Sequence, residues 1–208
     1  MKTLIFIHGG MSFTSQEEYL SWLQSDYTSW CTEKWTPGKK KWKTEAARKW
    51  TELGGTVYIP EAPNELNAKY NEWKIVFDTV FSLDEEPLIL VGHSLGGCFL
   101  LKYFSETTEH GLLRTSQGQR KIDQIHLVAA CLSEGDFTLP ANYESLQQLG
   151  NRVHIWHAED DDIVPFSVGQ ELSLLLPDAQ THFFSKEKGY GHFSKVEELE
   201  ELEKVIGL

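Results

Sequence analysis

LILVGHSLGGCFLLKYF (residues 88–104) begins as an apolar run, turns through Gly92-His93-Ser94-Leu95-Gly96-Gly97 and leaves as a second apolar run. The first part reads as a strand covered on both faces and the second as a buried helix. The corner fits Gly-x-Ser-x-Gly. A strand that turns directly into a helix forces its corner residue into a strained conformation. Flanking glycines remove side chains that would clash there, and the serine hydroxyl is lifted clear of the sheet beside the free N–H groups of a helix start. The alternative is a glycine-rich turn in which Ser94 only caps the helix.

Working outward, short β-type runs alternate with helical patterns. Strands are expected at 3–8, 56–60, 88–92, 122–129, 152–158 and 181–185. Helices are expected near 15–25, 42–53, 66–82, 94–106, 165–176 and 195–206. This alternation predicts an α/β fold: one compact, doubly wound, mostly parallel sheet of about six strands with helices on both faces. Ligand sites in such sheets lie beyond the carboxyl ends of the strands.

A serine hydroxyl is a poor nucleophile without a base to take its proton, so a histidine and an acid must be found. The expected chain order is Ser, then Asp or Glu, then His, each on a loop after a strand. HAEDDDIVPF follows the strand at 152–158, and KEKGYGHFS follows the strand at 181–185. His192 is the base candidate because Gly189 and Gly191 bracket it. His8, His93 and His157 lie near the same edge but precede the acid. His126, His154 and His182 fall inside strands and read as hydrogen-bonded structural residues, and His110 falls in a polar loop. Three adjacent carboxylates, Asp160, Asp161 and Asp162, compete for the acid's place. They match no calcium-loop spacing.

The 208-residue chain has ordinary globular composition, which fits one domain with a large core. A net charge of -12 argues against nucleic-acid or anionic-membrane partners. The N-terminal apolar run is too short for a signal peptide, and no stretch approaches the roughly 18 apolar residues of a membrane span. Cys31, Cys98 and Cys131 lack Cys-x-x-Cys spacing and read as reduced thiols, so a cytoplasmic location is expected. GHSLGG has neither the Lys-Ser/Thr of a P-loop nor Gly-x-Gly-x-x-Gly spacing, which excludes the nucleotide-binding reading.

IFIHGG after the first strand, VGHSLGG at the corner, HAEDDDIVP and GYGHF together resemble the α/β-hydrolase superfamily. The short chain, the Asp-x-x-Val-Pro pattern and PEAPNELNAKYNEW are similar to the small retinoblastoma-binding-protein-9-like (YdeN-like) serine hydrolases. The resemblance implies an α/β-hydrolase fold with Ser94 as nucleophile and His192 as base. It selects Asp161, three positions before Val164, as the acid, with Asp160 as fallback. A proline often follows that acid in the family, whereas Asp162 follows here. The resemblance also implies an oxyanion hole from the Leu95 and Gly10 N–H groups, with Met11 as the alternative to Gly10. No metal or organic cofactor is required.

The function expected is a serine hydrolase cleaving small ester or amide substrates through an acyl-enzyme intermediate. The alternatives are a hydrolase-fold partner-binding protein without significant catalysis, and an acyltransferase using the same triad.

One segment stands apart. Residues 30–50, centred on an insertion at about 26–45, hold Trp30, Trp35, Trp42 and Trp50, with seven Lys or Arg against two Glu. The tryptophans are expected to pack the insertion onto the sheet rather than to line a binding surface. The cluster Lys39, Lys40, Lys41 and Lys43 is expected to be a solvated loop, the alternative being a patch for an acidic protein partner. Glu61, Glu134, Asp136, Glu159, Asp160 and Asp162 lie on loops after strands, which predicts a mouth disfavouring anionic substrates.

Overall fold

The computed structural model describes residues 2–26, 41–81, 83, 86–109, 112–115, 118–139 and 143–208. Six strands form the parallel part of the sheet: β1 (Thr3–Ile7), β2 (Thr56–Tyr58), β3 (Leu88–His93), β6 (Gly118–Val128), β7 (Val153–Ala158) and β8 (Gln180–Phe184). Their spatial order is β2-β1-β3-β6-β7-β8. The register runs Thr3↔Leu88 to Ile7↔Gly92 between β1 and β3, and Gly92↔Leu127 and His93↔Val128 between β3 and β6.

Two further strands, β4 (Thr108–Glu109) and β5 (Leu112–Thr115), were not expected from sequence. They extend the sheet antiparallel to the N-terminal part of β6, with Leu112 opposite Lys121 and Thr115 opposite Gly118. Among the described residues the sheet therefore holds the six expected strands in its parallel part and two more beside them, because β6 is long enough to pair antiparallel near its start and parallel near its end.

β1, β3 and β7 are buried at every position. Alternation still decides which core each residue enters. Ile5, Ile7, Leu88 and Leu90 face a layer holding α3 (Tyr70–Phe81) and α4 (Leu95–Thr107) through Trp73, Phe77 and Phe99. The same layer takes Leu172 of α6 (Phe166–Leu175). Leu4, Phe6, Ile89 and Val91 face the other layer. There Trp42 and Trp50 of α2 (Trp42–Glu52) join Leu202 and Ile206 of α7 (Glu200–Ile206). Each such side chain contributes about 1.5–3 kcal/mol by leaving water.

Among the described residues the remaining α-helices are α1 (Gln16–Ser25), capped by the Ser15 side chain, and the single turn α5 (Glu144–Gln147). Two expected helices are shorter than their patterns suggested. α3 starts at Tyr70, because residues 66–69 are held in the preceding loop, where Ala68 N–H donates to Met11 O. α7 starts at Glu200, since the stretch from 195 completes the His192 loop. Of the unusual segment, Trp42 and Trp50 pack onto the sheet. Trp30, Trp35, Lys39 and Lys40 lie outside the described residues, as do Cys31 and His110. Lys43 departs from the solvated-loop expectation: it is half-buried on α2, where burial, with Lys41 nearby, pushes its amine down to about 8. Cys98 and Cys131 are free, buried thiols.

Candidate active site

The corner between β3 and α4 carries its strain on one residue. Ser94 has φ +55, a left-handed value that a side chain ordinarily avoids. Its N–H donates to Val128 O at 2.9 Å, and its carbonyl accepts from Gly97 and Cys98, so the turn is locked at both ends. The flanking glycines serve space. A Cβ on Gly92 would lie 2.5 Å from Gly96 O, and one on Gly96 would collide with the Ile7 and His8 carbonyls. Helix α4 thus starts directly against β1 and β3.

β7 ends at Ala158 and its following turn presents Asp161. That carboxylate is fully buried; Oδ1 accepts from the Ile163 and Val164 N–H groups, both at 2.9 Å. His192 Nδ1 lies 3.0 Å from each of its oxygens. Burial would raise the Asp161 pKa. The hydrogen bonds from His192, Ile163 and Val164 outweigh burial and hold the carboxyl below its ordinary value. Asp161 is thus the member of the aspartate triplet that meets His192. Asp162 is exposed, and Asp160 Oδ1 has no hydrogen-bond partner among the described residues.

His192 follows Gly191, whose φ of +50 turns the chain back toward the sheet. Its ring lies 4.9 Å from that of His93, the residue before Ser94. Among the described residues the Ser94 hydroxyl has no hydrogen bond to His192. A contact of this kind is often loose until substrate arrives.

Gly9 and Gly10, after β1, close the site from the other side. A Cβ on Gly9 would lie 3.2 Å from Ser94 Cβ, and one on Gly10 would lie 3.4 Å from Leu95 Cδ2. Met11 N–H is already committed to Glu65 O at 2.7 Å. The Gly10 and Leu95 N–H groups have no backbone acceptor among the described residues. Ser12 fixes this loop: its hydroxyl donates to Ala68 O at 2.8 Å and accepts from Asp136 N–H at 3.0 Å. Its N–H donates to Glu134 Oε1 at 3.2 Å.

Sequence reasoning missed several supporting side chains. His157, fully buried, donates from Nε2 to Val164 O at 2.9 Å and braces the Asp161 turn. His8 Nε2 accepts from Ala62 N–H at 3.0 Å, tying the glycine loop to the loop after β2. The signal available was their place at strand ends, but chain order set them aside. His126, His154 and His182 lie where expected, stacked across β6, β7 and β8. Among the described residues no group of three or more His, Cys, Asp or Glu side chains is arranged to hold a metal ion. No described helix is long and apolar enough to cross a membrane.

The chain has the α/β-hydrolase fold. The structure of the ydeN gene product from B. subtilis superposes with a TM-score of 0.68 at 18% identity, covering 99% of this chain and 97% of that one. MenH from S. aureus superposes with a TM-score of 0.58 at 13% identity, over 99% and 91% of the two chains. A lipase-esterase related protein from Clostridium acetobutylicum gives 0.55 at 12% identity, over 99% and 93%. No family model matches the sequence, and no curated protein matches it.

Proposed function

We propose that this protein is a serine hydrolase acting on small esters or amides through Ser94, His192 and Asp161. The observation that carries the reading is the bond from His192 Nδ1 to a buried Asp161, with a serine held at φ +55 at the end of β3 directly after His93, whose ring lies 4.9 Å from that of His192. That several neighbours of the same fold carry hydrolase or esterase in their names supports the reading.

In this mechanism His192 takes the Ser94 proton through Nε2 as the oxygen attacks the substrate carbonyl. Asp161 holds the ring in the Nδ1–H tautomer and stabilises the imidazolium that forms. The Gly10 and Leu95 N–H groups receive the developing oxyanion, each such donor being worth about 3 kcal/mol in the transition state. His192 then protonates the leaving group. Water repeats the sequence on the acyl-enzyme and releases the acid.

Hydrolysis of short-chain p-nitrophenyl esters tests this. A burst of nitrophenol equal to the enzyme concentration, absent in Ser94→Ala, is the expected result. Hydrolysis undiminished in Ser94→Ala would overturn it. Added alcohols or amines that divert the acyl group would move the reading to acyl transfer.

A further inference from the structure

The loop carrying His192 needs outside anchors. Gly189 and Gly191 stand at φ +65 and +50, and Phe193, with a full side chain, at +58. Three of its carbonyls accept hydrogen bonds from outside the loop. The carbonyl of His192 accepts from His93 Nε2 at 2.7 Å. The carbonyl of Phe193 accepts from Trp42 Nε1 at 3.0 Å, and Val196 O accepts from the Trp42 N–H at 3.1 Å. Trp42 also meets the His93 ring edge-on, with centroids 6.1 Å apart, and is almost fully buried.

We propose that His93, backed by Trp42, is a positioning residue for His192: it holds the base by its main-chain carbonyl while Asp161 holds the ring. This rests on the serine-hydrolase reading above. A carbonyl can only accept, so His93 Nε2 must carry a proton. Burial, with Lys43 and His192 nearby, keeps the imidazole neutral, so it presents that one donor. Asp161 alone would leave the His192 ring free to swing with a loop that has two glycines. His93 supplies the second fixed point. Because its own peptide leads into Ser94, one dipeptide sets both the nucleophile and the distance to the base. Trp42 of the Trp/Lys segment thereby enters the site as a buttress.

The test compares His93→Gln, which keeps an N–H donor, with His93→Phe, which keeps a ring without one. A misplacement of about 1 Å at a base costs on the order of 100-fold in rate. His93→Phe is therefore expected to lower kcat about 10- to 100-fold with KM within about 2-fold, and His93→Gln to recover most of the loss. The downfield proton resonance of His192 Nδ1–H should be sharp in wild type and in His93→Gln, and broadened in His93→Phe. Equal loss in both folded variants, or unchanged kcat and resonance in His93→Phe, would overturn the proposal. If His93→Phe does not fold, Trp42→Phe removes the neighbouring anchor, with the same expected direction. If wild type hydrolyses no ester, the hydrolase reading fails by itself. The resonance still decides the clamp: a sharp signal in His93→Phe would contradict it.

Discussion

Asp161 receives His192 Nδ1 at 3.0 Å on both carboxylate oxygens, and one of those oxygens also takes two main-chain N–H groups. Asp161→Asn is expected to lower kcat about 1,000- to 10,000-fold, since the amide favours the wrong tautomer of the base. Asp160→Asn should change kcat less than about 3-fold. Steady-state kinetics of the two variants on one ester check this, and a larger loss from Asp160→Asn would move the acid's role there.

Stability should fall on acidification because the fold keeps several histidines from taking the proton that the unfolded chain takes. Burial lowers the pKa of His126, His154 and His182, the first two being further depressed by their histidine neighbours, and His154 is pushed down to about 4. Unfolded histidines take a proton near 6.5, so between 6.5 and about 4 the unfolded chain binds more protons. Stability is full above that window and is lost as pH falls through it. Melting curves should show Tm dropping at least about 5 °C from pH 7 to pH 4.5. The slope should be shallower in His154→Gln. A Tm constant across that range would contradict the assignment.

The carboxylates expected around the site make a further demand. Asp160 and Asp162 flank Asp161, and Glu134 holds Ser12 within electrostatic reach of His192, burial raising its pKa. Matched cationic and anionic esters should differ about 3- to 10-fold in kcat/KM at low salt, favouring the cation, and converge as salt screens the charges. A preference for the anionic ester would show that Lys43, within electrostatic reach of His93, governs substrate charge instead.

Much of this arrangement was legible in the chain. GHSLGG fixed the strand end and helix start because its glycines have no room for side chains, a local property. Asp161 was harder, since three adjacent aspartates look alike until the Val164 and Ile163 N–H groups choose among them. Gly10 and Met11 differ only by a hydrogen bond to Glu65, more than fifty residues away, which no local pattern contains. His93 and Trp42 were invisible as partners of His192 for the same reason. The β4–β5 extension was missed because its backbone pairing arises in a polar stretch without the apolar runs that marked the other strands.

The most direct measurement is labelling with a fluorophosphonate probe followed by mass spectrometry of the adduct. The account predicts one adduct per chain, on Ser94, absent in Ser94→Ala and strongly slowed in His192→Ala. Well-folded protein that takes no label, or an adduct that persists in Ser94→Ala, would contradict it.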